Sequence, residues 1–387
     1  MKRGLCALAA ALLLGVCAPG AAQETLTVYV SAEAMPLETA RQLAALLERE
    51  IAPVQVELIA EQTTDETLRA LVLRDEAPQL AICPPEEVRL YAREGLLATL
   101  DAPEDARVAR QVTDACTQDG ELFMLPLLAH HRQMAVNRRR LDQAHLSELL
   151  DARTHPVWYP LELQQVLEAV YDGDAPAMEL WPPEPEESAG LLAMTQALFG
   201  GAFFSEDGQV CQADCGSAVA ALSWMQDMLE GGQIGWAGSR AEALERFLSG
   251  ETALFIDWTD ADERENRARI RESGLEICAL AYPSSTGMPV HAFDVIGAAV
   301  FLTGDAQADA RAKAAAAFLV QDAQAERVMG ERGIAEDGAV WLPVPGAHPQ
   351  GALLRTLLPD ALREALMQGR SAAAALRAVV QALDAAK

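Results

Sequence analysis

An alternation of hydrophobic period over the first hundred residues past the N-terminal leader constrains this chain most. Residues 26–30 (Leu-Thr-Val-Tyr-Val) are a short β-branched run, and residues 54–59 alternate as a strand does. Between them, apolar side chains at 37, 40, 44 and 47 trace one helix face. Residues 64–74 read as helix, 80–83 as a buried strand, and 86–93 as a helix that stops at Gly95. Strands alternating with helices predict βαβ units and a mostly parallel sheet. Right-handed crossovers then gather the loops after the strands at one sheet edge.

The second half repeats the mixture with more helix. Apolar positions 218, 221, 222, 225, 228 and 229 form a helical stripe, with Ser217 as its cap and Gly231 and Gly232 as its end. Ser239 and Glu242 form a capping box for a helix running to Gly250. Residues 253–256, 275–282 and 295–302 read as strands, and an Ala-rich helix is expected over 309–332. The tail, 361–386, reads as two helices split at 369–371, with Ser371 capping the second. Residues 181–187, rich in Pro and Glu, read as an irregular surface loop.

The N-terminus reads as an export signal. Lys2 and Arg3 precede an apolar run over 5–16, and Ala22 ends a small-residue cleavage site before Gln23. Cys17 offers a second outcome, a lipid-anchored cysteine. The protein is therefore expected outside the cytoplasm, in the periplasm or at the cell surface. The net charge is −27, and removing Lys2 and Arg3 with the leader takes it to −29. Such a chain repels nucleic acid and anionic lipid; it favours solubility and suits cationic solutes. Cys83, Cys116, Cys211, Cys215 and Cys278 follow the leader. Export permits disulfides, and Cys211 and Cys215 are spaced to close a small loop, with free or differently paired thiols the alternative. No second Cys or His pair stands at metal-binding spacing, so neither metal nor cofactor is expected.

The middle of the chain carries a more specific pattern. Asp119-Gly-Glu-Leu-Phe-Met-Leu-Pro126 is followed by Met134-Ala-Val-Asn137-Arg-Arg-Arg-Leu141. This resembles the lobe crossover of the family-1 extracellular solute-binding proteins of ABC importers, the group of the maltose- and oligosaccharide-binding proteins. Weaker likenesses follow in the family's order: 77–82, 95–101, Phe247-Leu-Ser-Gly-Glu-Thr-Ala-Leu-Phe-Ile-Asp-Trp258, and the Gly369–Leu376 stretch. The resemblance implies a two-lobed α/β clamp of type II. One lobe would hold residues 23–127 and 284–334, the other 128–283 and 335–387. A small solute would bind between them, closing the lobes by a hinge. It further implies a monomeric carrier serving an ABC permease, with a carbohydrate as the expected solute. A polyamine or other cationic solute is the alternative, or a sensory or surface role for the same fold. No nucleophile elbow, zincin motif or phosphate-cradling loop is present, so an enzyme is not expected.

A sugar clamp needs flat aromatic surface with nearby carboxylates and amides. Glu33 and Glu86 follow predicted strands and are candidate hydrogen-bond acceptors, or else helix N-terminal charges. Trp258 stands where the resemblance puts a ligand-facing ring, with Asp257 beside it as a polar partner. Trp158, Trp236 and Trp341 are further candidate rings, and His130 and Arg132 follow the crossover motif. Asn137 matches a structural asparagine of the family.

Overall fold

The computed structural model describes residues 24–386 apart from 33, 52–53, 62, 102–109, 152–156, 186, 202, 204, 206–209, 330–339 and 344–349. The expected alternation opens the fold. β1 (Glu24–Val30), α1 (Leu37–Glu50), β2 (Val54–Ile59), α2 (Asp65–Leu73), β3 (Leu80–Cys83) and α3 (Pro85–Arg93) follow in turn. β1 pairs in parallel with both β2 and β3. α3 needs no side-chain cap, because Pro85 takes the first helical position and Glu86 and Glu87 complement the first turn. α4 (Arg110–Ala115) and the small hairpin β4 (Thr117–Gln118) and β5 (Glu121–Leu122) lead into the long strand β6 (Met124–Asn137). Asp119 and Gly120 turn that hairpin, both with φ in the left-handed region.

After β6 come α5 (Arg138–Gln143), α6 (Glu148–Asp151), α7 (Pro160–Val170), β7 (Met178–Leu180), α8 (Ala189–Leu198), α9 (Gly216–Glu230) and β8 (Ile234–Trp236). α10 (Arg240–Ser249), β9 (Leu254–Thr259), α11 (Asp260–Ser273), β10 (Ile277–Leu280) and the long β11 (Val290–Val300) complete the middle. α12 (Ala306–Gln321), α13 (Ala323–Met329), β12 (Val340–Pro343), α14 (Gly351–Gln368) and α15 (Ala372–Ala385) end the chain. Ser239 and Ser371 cap α10 and α15 as expected, accepting from Glu242 N and Ala374 N. Two expectations are corrected. α9 begins at Gly216 with Cys215, not Ser217, at its cap. The single helix expected over 309–332 breaks at Asp322, whose carboxylate accepts from Gln324 N (2.7 Å) and Ala325 N (3.0 Å) and so caps a new helix.

The strands join in the order β2-β1-β3-β11-β6-β9-β7-β8, with β10 on β6 and β12 on β11. Parallel pairs lie toward both ends, and the antiparallel strands β11 and β6 hold the centre. Two hydrophobic cores divide this sheet. Met124, Leu125, Leu127 and Leu128 of β6 pack in the first with Tyr29, Ile82 and Leu319. Met134, Ala135 and Val136 pack in the second with Leu192, Phe255 and Leu362. β11 returns, with Val290 and Ala292 in the second core and Phe293 to Val300 in the first. The cores thus change over between Leu128 and Met134 and between Ala292 and Phe293. Within the first core the two strands approach closely. A Cβ on Gly297 would lie 2.3 Å from Met124 Cγ and 2.9 Å from the Leu125 carbonyl oxygen, so glycine is required there.

Candidate functional site

Register places the loops. β3 runs antiparallel to β11 with Cys83 opposite Gly297 and Leu80 opposite Val300, so its C-terminal end points toward the changeover. β9 meets β6 with Leu254 opposite Val136 and Thr259 opposite Arg132, so its C-terminal end points there too. β7 and β8 run parallel to β9. The parallel strands of both cores therefore end at one seam, lined by the loops after β1, β3, β7, β8 and β9.

Arg132 lies on β6 within this seam. Its Nη1 donates to Asp257 Oδ1 (2.7 Å) and its Nε to Asp294 Oδ2 of β11 (2.6 Å). Arg240, at the start of α10, donates from Nε to the other Asp257 oxygen (2.6 Å) and from Nη2 to Asp262 Oδ2 (2.7 Å). Thr259 Oγ1 completes the chain of contacts, donating to Asp262 Oδ2 (2.7 Å). Asp257 is 1% exposed and sits against α8, where a Cβ on Gly190 would lie 2.6 Å from Asp257 Cβ. Burial disfavours the charge on Arg132, but Asp257 and then Asp294 overcome it and hold the pKa above the ordinary arginine value. Arg240 is held up in the same way, against burial, by Asp257 and Asp262. Both guanidinium groups are thus committed to carboxylates.

On the other side of the seam, Glu86 opens α3 and faces Arg355 of α14 (Oε1 to Nη1, 3.6 Å). The His131 and His291 rings lie 4.6 Å apart between centroids beside the changeover. Burial, and then His131, lower the His291 pKa to about 3.

The structure thus brings together Arg132 and Asp257 of the sequence candidates and sets Glu86 at the same seam. It corrects the reading of two rings. Trp258 is 1% exposed and meets Phe247 edge-on at 6.0 Å, so it fills the second core rather than offering a platform. Trp158 is fully buried, and its indole N–H donates to the Leu149 carbonyl (3.3 Å). Trp236 ends β8 at the seam and remains half-buried. His130 lies opposite Asp294, and Trp341 lies on β12 opposite His291. Glu33 and Cys17 lie outside the described residues. No disulfide joins Cys211 and Cys215, so the expected small loop is open. No cluster of three or more His, Cys, Asp or Glu among the described residues is placed to hold a metal ion. Asp294, Arg240, Asp262 and Arg355 escaped the sequence reading. Arg240 lies inside the recognised capping box, yet nothing in that motif announces a buried partner.

The bacterial extracellular solute-binding protein family matches residues 42–335, and the chain belongs to it. Its fold is that of the type II clamps. The sugar-binding protein MalE from Xanthomonas citri is 15% identical with a TM-score of 0.71, covering 93% of this chain and 96% of that one. An ABC substrate-binding protein from Listeria monocytogenes in complex with cycloalternan is 14% identical with a TM-score of 0.70, covering 94% and 99%. A cyclic alpha-maltosyl-1,6-maltose binding protein from Arthrobacter globiformis is 20% identical with a TM-score of 0.68, covering 93% and 98%. No curated protein sequence matches the chain. Among the described residues no helix is long and apolar enough to cross a membrane.

Proposed function

We propose that the seam is a solute cleft and that its solute is a neutral carbohydrate, which the protein carries as an exported monomer to an ABC importer permease. The observation that carries this reading is the convergence of parallel strand ends from both cores on one seam, across the central strands β6 and β11. Hinge motion at the changeover would bring the loops of both sides onto a solute. The sugars bound by the structurally similar proteins favour a carbohydrate. So does the pairing at the seam: Arg132 and Arg240 already donate to Asp257, Asp294 and Asp262, which offsets all but one of the local negative charges that a cationic solute would seek. Trp236 supplies half-buried ring surface where a sugar face could stack. The fold binds and releases without chemistry in this reading.

The competing reading is a cationic solute drawn by the acidic surface. Melting in the presence of sugars, polyamines and amino acids identifies the binder, since a solute specific for the native state raises apparent stability. The best binder is then titrated at low and high salt. A neutral sugar is expected to bind almost equally at both. A tenfold or larger loss at high salt would replace the carbohydrate with a cation.

A further inference from the structure

We propose that Glu86 and Arg355 form a latch that draws the two lobes together before any solute arrives. The inference rests on reading the seam as a cleft that opens.

The two side chains belong to different cores. Glu86 stands in the first turn of α3, whose Val88 and Tyr91 pack in the first core. Arg355 follows Leu354, which with Leu358 anchors α14 in the second core. Their contact therefore spans the lobes at a point far along the chain from β6 and β11. Both ions are well covered, with side-chain exposures of 10% for Glu86 and 15% for Arg355. Water screens such a pair less than it does a surface pair. Arg89 of the same helix feels the Glu86 charge, but its hydrogen bonds go elsewhere. It donates to the carbonyl oxygens of Ala115 and Thr117 and to Gln118 Oε1.

The pair works as a latch rather than a lock. Opening the seam returns both charges to water, and their regained hydration offsets much of the lost attraction. The unliganded protein then populates a compact form that a solute can capture. Weakening the latch lowers that population and with it the apparent affinity.

The test needs no knowledge of the solute. Full-length protein is compared with Glu86→Gln, Arg355→Gln and the exchanged pair Glu86→Arg/Arg355→Glu, by small-angle scattering without ligand. Circular dichroism and melting check that each variant is folded. Both single variants should show a larger radius of gyration than the wild type, and the exchanged pair should return toward it. With a binder in hand, the single variants should bind roughly two- to fivefold more weakly, the scale of an ion pair that water still reaches. Folded single variants as compact as the wild type would overturn the latch, as would an exchanged pair no more compact than the singles. Should the exchanged pair not fold, the two glutamine variants decide alone. A solute that proves not to be a sugar leaves the ligand-free result standing, so the two proposals fail separately.

Discussion

The two cores bury charge in different ways. In the first, Glu87 is 7% exposed and accepts from the hydroxyls of Ser31 (2.6 Å) and Tyr29 (3.1 Å). Burial, and then the neighbouring Glu87, hold the Tyr29 phenol protonated far above its usual range. In the second, Asp257 is clasped by two arginines, one of them on the central strand β6. The first arrangement is local and fixes the ends of β1 and α3. The second ties β9 and α10 to β6 and, through Asp294, to β11. Buried charge in the first core thus serves that lobe's shape, while in the second it links the lobe to the hinge strands.

Substitutions can break this contrast, beginning with the largest effect. Asp257→Ala takes one of two carboxylate partners from each of two covered guanidinium groups and should cost roughly 3–5 kcal/mol in denaturant unfolding. Trp258→Ala empties core volume and should cost about 3–5 kcal/mol, with solute affinity kept wherever the variant is folded. A selective loss of affinity with unchanged stability would return that ring to the cleft. Glu87→Gln keeps the shape but mismatches its hydroxyl donors, for about 1–3 kcal/mol. Equal costs for Asp257→Ala and Glu87→Gln would erase the distinction between the cores.

A pH series probes the changeover itself. His291 is neutral when folded down to about pH 3, whereas the unfolded chain takes up a proton near 6.5. Below that value the unfolded state binds more protons, so stability falls with pH between about 6.5 and 3 by up to ~1.4 kcal/mol per unit. The full stability is present above pH 6.5. His291→Phe should remove this part of the slope in unfolding measured from pH 4.5 to 7. The smallest expected effects are at helix caps, one in each lobe. Asp305→Ala at α12 and Ser371→Ala at α15 should each lower melting by the equivalent of about 1 kcal/mol. Their similarity would show that the contrast lies in buried charge and not in local helix chemistry.

The two lobes also differ in how far their sequence announces them. In the first, α1 and α3 each expose one polar face, and β2 alternates, so the period is visible. In the second, β7 and β8 span three residues each, too few to establish a period. α8 is buried along all but its first residue and shows no polar stripe to mark it as a helix. The same difficulty hid the site. Trp258 follows the run read as a strand and resembles a cleft ring, but β9 extends through it, and the alternation that sends Asp257 to the arginines sends the next ring to the other face. Arg132 and Asp257 were legible as polar residues near a crossover. Their partners Asp294 and Arg240 are 162 residues from Arg132 and 17 residues from Asp257, respectively, and no local pattern links them.

Closure around a solute is what makes such a fold a clamp. Small-angle scattering of the wild-type protein, without and with a saturating amount of the sugar that most raises its melting temperature, measures this. The radius of gyration should fall on saturation if loops from both lobes grip the solute at the seam as proposed. An unchanged radius at proven saturation would contradict the hinged clamp.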